Sequence, residues 1–345
     1  MLNELGAIES CLDSFAAQDY PLDLLDVLVI DGGSTDGSRE YVDQRAVDSP
    51  WLRVIDNTVG SAAAAFNLGA REGLGEVVCL FSSHGVPASD YVSRSVKVLH
   101  ETGAAGVGGS YHHIGTTPTS QSIGMAMVSP FGMASAHRMA TVPKLVDTIS
   151  HPAYVRNVLL DVGGFDESLA RNSDYEINVR IRKAGHVLMF EPSVESIYRP
   201  RPNLKALGSQ FWHYGRWKAR VARQHPGHTK PRHLVAPAFA VGTAVTPLAL
   251  AANRPLRLLT TASWLAYGGL CVAAAARAGQ AANDSPTTAF GADMAPGHSR
   301  AALIAAFPTM HLNWGAGFVT SMIEDALPTR HDTNNQTTPT QKRDS

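Results

Sequence analysis

Between residues 234 and 323 the chain carries only six charged side chains in 90 residues: Arg254, Arg257, Arg277, Asp284, Asp293 and Arg300. Three stretches in that region, 234–252, 258–276 and 301–323, carry none over 19, 19 and 23 residues. A membrane-crossing helix needs about 20 apolar residues, so this third of the chain is constrained to helices that meet a bilayer or are buried in protein. Ala, Gly, Thr and Pro make all three weakly hydrophobic, and Pro308, His311 and Asn313 give the third a partly protein-buried or interfacial character. Arg254 and Arg257, between the first two segments, fit poorly with an extracytoplasmic loop, which leaves a re-entrant or interfacial hairpin open.

The preceding 233 residues hold 46 of the 59 charged side chains, close to an ordinary soluble domain, although the whole chain is only 17% charged. Lys and Arg number 29 against 30 Asp and Glu, which offers no electrostatic case for a nucleic-acid partner. Cys11, Cys79 and Cys271 are odd in number and far apart, which excludes a disulfide framework and a CxxC metal site. No secretory signal is read at the N-terminus, where Glu4 and Glu9 stand in place of basic residues. Arg216, Lys218, Arg220, Arg223, Lys230 and Arg232 form an acid-free stretch just before the first apolar segment. Such a collar marks the cytoplasmic side and attracts anionic head groups, although a solvated basic helix face has the same pattern. The chain is therefore expected to divide into a cytosolic domain over 1–230, membrane-associated helices over 231–325 and a disordered polar tail over 326–345.

Short apolar runs at 27–30, 52–55 and 77–81 read as strands, and the patterns over 5–16, 62–72 and 90–100 as helices. This alternation argues for βαβ units and a doubly wound, mostly parallel α/β sheet, extended by a strand at 105–111. The Met-rich run 125–139 reads as packing and loop. Further helices are expected at 154–162, 174–183 and 203–223, the second ended by Gly185.

Ligands of open α/β sheets bind beyond the carboxyl ends of the strands, which draws attention to Asp31 and to Ser82-Ser83-His84. A carboxylate at the first position can accept from a nucleoside N–H or a ribose hydroxyl, and an imidazole at the second can ligate a phosphate-bridging metal. Equally, Asp31 can simply close its turn, with Ser34 or Thr35 capping the next helix, and a lone His is usually satisfied structurally. No GxGxxG or Walker A motif follows any strand, which disfavours a Rossmann dehydrogenase or a P-loop enzyme.

The turn Asp31-Gly-Gly-Ser-Thr-Asp-Gly-Ser38 after its strand resembles the nucleotide-binding turn of glycosyltransferase family 2, inverting enzymes of the GT-A fold. Further segments fit in order. Asn67-Leu-Gly-Ala70 resembles the helix before the metal-binding strand, and Ser82-Ser-His84 the Asp-x-Asp loop in the Asp-Ala-His form of the succinoglycan-biosynthesis subfamily. Segment 121–132, Gly163-Gly-Phe-Asp-Glu-Ser-Leu169, Asn172-Ser-Asp174-Tyr-Glu176-Ile-Asn178 and Tyr214-Gly-Arg-Trp-Lys218 continue the series. His311 and Trp314-Gly-Ala-Gly-Phe318 resemble the same subfamily's C-terminal membrane region.

The resemblance implies an enzyme that moves a sugar from a nucleotide-diphosphate donor to a lipid-linked or polysaccharide acceptor at the cytoplasmic membrane face. It implies Asp174 as the catalytic base, His84 as a ligand of Mg²⁺ or Mn²⁺, and substrate contacts from Asn3, Glu4, Asp31, Ser34, Asp36, Asn67, Ser82, Ser83, Glu176, Tyr214, Arg216 and Trp217. Each has a plainer reading: Asp174 as a helix cap, Arg216 and Trp217 as membrane-proximal anchors. Ser82 stands where the subfamily has an acid, which weakens metal affinity, and Ser173 and Tyr175 replace two more acids. These departures favour the alternative of a non-catalytic relative that binds nucleotide as a scaffold subunit. The family also places a Val/Ile-rich strand directly before its Asn-Glu, whereas here only Met1-Leu2 precede Asn3-Glu4, so the true start is expected upstream.

Overall fold

The computed structural model describes residues 1–132, 140–284 and 297–326. The first unit is α1 (Leu5–Ala16), β1 (Val27–Asp31), α2 (Ser38–Val47) and β2 (Leu52–Asp56), with β1 and β2 paired in parallel. Ile8, Leu12, Val29, Val42 and Leu52 close its core. Met1 lies along the free edge of β1: its amino group donates to Ile30 O at 2.6 Å and its carbonyl accepts from Gly32 N at 2.8 Å. That is the bond pattern of a parallel bridge.

A six-stranded sheet follows. Its elements are α3 (Ala62–Glu72), β3 (Val77–Cys79), β4 (Val86–Pro87), α4 (Tyr91–Thr102), β5 (Gly106–His113), α5 (Pro118–Val128), β6 (Lys144–Val146), β7 (Ala153–Val155), α6 (Arg156–Asp161), α7 (Ser173–Lys183) and β8 (Leu188–Tyr198). The order is β3-β7-β5-β8-β4, with β6 also on β8. Pairing refines the expected parallel sheet to a mixed one: β5 and β8 run parallel, while β7 enters antiparallel between β3 and β5. Alternate residues of the short β7 face opposite layers, Tyr154 toward α3, α6 and α7 and Ala153 toward α4. Segment 154–162, expected as one helix, thus begins as a strand, and only 156–161 is helical.

The C-terminal part contains α8 (Leu204–Gln224), α9 (Arg232–Ala251), α10 (Arg254–Asp284) and α11 (Arg300–Ala326). Leu303, Ala306, Phe307 and Met310 of α11 are fully buried in a cluster that includes Leu207 and Phe211 of α8 and Ile123 of α5. The third charge-free segment is therefore packed inside the protein, the protein-buried side of its partly buried or interfacial reading. Small residues explain the close approach: a Cβ on Gly215 would overlap the carbonyl of Trp314, and one on Gly317 the carbonyl of Trp212. α9 and α10 differ, for each is long and apolar enough to cross a membrane and leaves Leu248 and Leu265 more than 70% exposed. One core cluster crosses residue 230, so packing does not divide the chain there. The expected tail began at 326, but Ala326 ends α11, and residues 327–345, like 133–139 of the Met-rich run, lie outside the described residues.

Candidate functional site

The turn after β1 is built from its own side chains. Asp31 is buried and accepts from the Gly33 amide at 3.2 Å, the Ser34 amide at 3.1 Å and the Ser34 hydroxyl at 2.6 Å. Burial alone would raise its pKa, but these hydrogen bonds outweigh it and hold the carboxyl below the usual range. Asn3, in a left-handed conformation, locks onto the same turn: Ser34 Oγ accepts from its amide at 3.0 Å, and its Oδ1 accepts from the Thr35 amide at 2.8 Å. Asp36 accepts from the Ser38 and Leu5 amides. Neither Ser34 nor Thr35 caps α2, because Gly37 occupies the N-cap in a left-handed conformation and leaves the capping to Asp36.

Glu4 connects this turn to the end of β3. Its amide donates to Ser38 Oγ at 2.9 Å, and its Oε1 lies 3.4 Å from His84 Nδ1. Ser82 and Ser83 precede His84 in a tight turn closed by Gly85 N to Ser82 O at 2.8 Å. Among the described residues no three His, Cys, Asp or Glu side chains cluster to hold a metal, so Glu4 and His84 form a two-donor pair. The neighbouring Phe81 packs on Tyr91 and His151, whose ring also meets Tyr111 at 4.5 Å. Sequence reasoning missed this aromatic group, since no motif contains it.

Asp174 sits half-buried in the first turn of α7, where a helix N-terminus favours negative charge. The N-cap is Asn172, so Asp174 is not the cap; Asn172 Nδ2 instead donates to Tyr214 O at 3.0 Å and ties this turn to α8. The charge of Asp174 is felt by Tyr154, Tyr214 and Lys218. Lys218, outside the expected set, is buried with its ammonium 2.8 Å from the centre of the Tyr175 ring. Burial lowers its pKa to about 7, opposed by Asp174.

Five other expected substrate contacts have protein partners. Asn67 is buried, donating to Phe165 O and Glu167 Oε1 and accepting from Phe165 N at 2.6 Å. Glu176 is buried under a bidentate Arg180 at 2.7 and 2.6 Å, with His225 Nε2 at 2.9 Å. Arg180 also donates to the carbonyls of Val162 and Gly164, so Asn67 and Glu176 fix the 163–165 turn from two sides. That turn borders a cavity of about 360 Å³. Arg216 forks onto Glu324 of α11 at 3.0 and 2.7 Å, and Tyr214 OH accepts from Gln210. Trp217 lies under Arg220 at 5.3 Å. The collar residues are thus partly internal, because α8 packs against α11 on the side that Arg216 and Arg223 occupy.

Residues 1–163 match Glycosyl transferase family 2. The succinoglycan biosynthesis protein ExoA of Rhizobium meliloti is 30% identical over 330 residues, 94% of this chain and 93% of that protein. A dolichyl N-acetyl-alpha-D-glucosaminyl phosphate 3-beta-D-2,3-diacetamido-2,3-dideoxy-beta-D-glucuronosyltransferase of Methanococcus voltae is 24% identical, covering 64% of this chain and 72% of its own. The mannosyltransferase PcManGT from Pyrobaculum calidifontis, solved with GDP-Man and Mn²⁺, superposes with a TM-score of 0.63 at 21% identity, covering 94% of this chain and 85% of that one. That structure shares the GT-A fold. With a relative at this identity along nearly its whole length, the chain belongs to glycosyltransferase family 2 and is a glycosyltransferase.

Proposed function

We propose that the protein transfers a sugar, with inversion, from a nucleotide-diphosphate sugar to a lipid-linked or polysaccharide acceptor at the cytosolic face of a membrane. The observation that carries this reading is the meeting of Glu4 with His84, which brings the end of β3 to the donor turn at the end of β1. In this reading Asp31, Ser34 and Asn3 shape the nucleoside seat. Ser82, Ser83 and His84 face the diphosphate. Asp174 accepts the proton of the acceptor hydroxyl as that oxygen bonds to the anomeric carbon and the bond to the diphosphate breaks.

A divalent ion, Mg²⁺ or Mn²⁺, would neutralise the diphosphate leaving group. Glu4 and His84 suit an ion that completes its shell with phosphate oxygens and water, rather than one resident in a closed protein cage. The GDP-Man and Mn²⁺ bound by the fold neighbour support this reading. The exposed α9 and α10 support membrane seating.

The test is full-length protein in detergent, assayed against a panel of sugar nucleotides with and without Mn²⁺. Asp174→Asn is expected to retain donor binding and to lose transfer by about a thousandfold or more, the scale of a general base combined with its charge. Donor binding by the unaltered protein with no turnover on any donor would instead establish the scaffold reading, which Ser82 favours.

A further inference from the structure

A second cleft, of about 460 Å³, lies where β6, the end of α7, the start of β8 and the start of α9 meet. Its lining supplies Lys144 from β6, Arg182 from α7, His186 and Arg232. The acid in the lining, Asp147, takes Arg182 Nη1 at 3.5 Å and the ammonium of Lys230. Lys230 holds the Asp147 carboxyl below its usual range, so it stays charged and cancels one cation. Four cations, Lys144, Arg182, Lys230 and Arg232, against this one carboxylate leave an excess of three positive charges with His186 neutral.

One feature shows that this group of cations is short of acceptors. Arg182 Nε is buried without a hydrogen-bond partner among the described residues, an arrangement that charged donors rarely tolerate. The surroundings are apolar. Leu145 and Val187 in the lining are exposed, and α9 continues with exposed Leu234, Val235, Val241 and Leu248.

We propose that this cleft seats the phosphate headgroup of an anionic bilayer phospholipid, whose acyl chains run along the exposed face of α9. A free phosphate would satisfy the cations but leave the apolar rim and α9 uncovered, whereas a phospholipid meets both. The inference rests on α9 lying at a membrane and not on sugar transfer.

Native mass spectrometry of the full-length protein in a neutral detergent tests it. The probes are short-chain phosphatidylglycerol and phosphatidylcholine of equal chain length. Phosphatidylglycerol is expected to form its first adduct at about tenfold lower concentration, and Lys144→Gln with Arg182→Gln to reduce that preference to about twofold. Arg182→Lys retains the charge and is expected to keep most of the preference. If the double variant misfolds by circular dichroism, Lys144→Gln alone is expected to show a smaller loss, about threefold. Equal adducts of both lipids on the unaltered protein, or an undiminished preference in a folded variant, overturns the proposal. Displacement of the lipid by millimolar inorganic phosphate would show a free-phosphate site and overturn the lipid assignment. Because the readout is adduct formation, inactivity as a transferase leaves the result interpretable.

Discussion

Lys218 illustrates how one side chain can work against stability beside the proposed base. Its ammonium is buried over the Tyr175 ring, and burial lowers its pKa to about 7, so in the folded chain the neutral amine is favoured. The unfolded lysine titrates near 10.4. Between about pH 7 and 10 the unfolded state therefore binds more protons than the folded one, and this residue's contribution to stability rises with pH across that window. Lys218→Met is expected to stabilise the protein by on the order of 2 kcal/mol at pH 6 and by less at pH 9, read from urea midpoints. Equal gains at both values would contradict the buried-amine account. Asp31 shares that direction of pH dependence, because its pKa is also lowered, but its contribution is stabilising. Its carboxyl lies below the usual range, so its stabilisation is complete above about pH 4 and fades as pH falls through the lower, folded value. Asp31→Asn should therefore be less stable at pH 7, and the gap should close below pH 4. The turn-closing role of Asp31 was legible in the sequence, because an Asp beside glycines bonds locally, whereas Asn3 and Asp36, expected as substrate contacts, hold the turn through partners that the sequence does not indicate. The burial of Lys218 was not legible either, since a basic residue in a basic stretch reads as exposed until the helix facing it is known.

Among the elements, α7 and the α8–α11 pair govern the geometry around Asp174. The Glu176–Arg180 fork spans one turn of α7 and reaches the 163–165 turn, with Asn67 of α3 holding that turn from the other side. Glu176→Gln leaves a guanidinium without its carboxylate and is expected to cost about 3 kcal/mol. A guanidinium chloride midpoint unchanged from the unaltered protein would remove the fork from the scaffold. The α8–α11 contact depends on Gly215 and Gly317, each facing backbone of the other helix. Gly317→Ala should destabilise by about 2 kcal/mol through overpacking, despite alanine's better helix propensity. A rise in the thermal midpoint would contradict that contact. Helices such as α3, α4, α7 and α8 were legible at this scale from their periodicity, whereas α5 was not, since its Met-rich end reads as packing and loop. β8 was not, although it pairs with β4, β5 and β6. Its apolar pattern is broken at Glu191, Pro192 and Ser193, where the register against β5 jumps between Gly108 and Ser110. A bulge of this kind hides the period-two signal. The charge-free run in α11 left protein-buried and interfacial readings open for a related reason, for burial in protein and burial in lipid select the same residues.

Across the whole molecule, apolar surface is distributed unevenly, and that unevenness separates the two kinds of C-terminal helix. α11 fills a core shared with α5, α8, α9 and α10, while most of α9 and α10 faces outward. Leu248 and Leu265 are 74% and 72% exposed, so arginine at either position meets no packing penalty in the folded protein. In a bilayer the same change is opposed by about 3 kcal/mol per residue at the helix centre. Leu248→Arg with Leu265→Arg should therefore leave the circular dichroism and donor binding of the detergent-solubilised protein intact, yet shift the chain from the membrane pellet to the supernatant after alkaline carbonate washing. Retention in the pellet would mean that α9 and α10 cover a protein partner instead. Loss of donor binding together with membrane release would mean that the two helices shape the sugar-nucleotide site directly. The paired variant thus separates the membrane seat from the catalytic fold, because the side chains it alters belong to the exposed face and to neither the donor turn nor the base turn on α7.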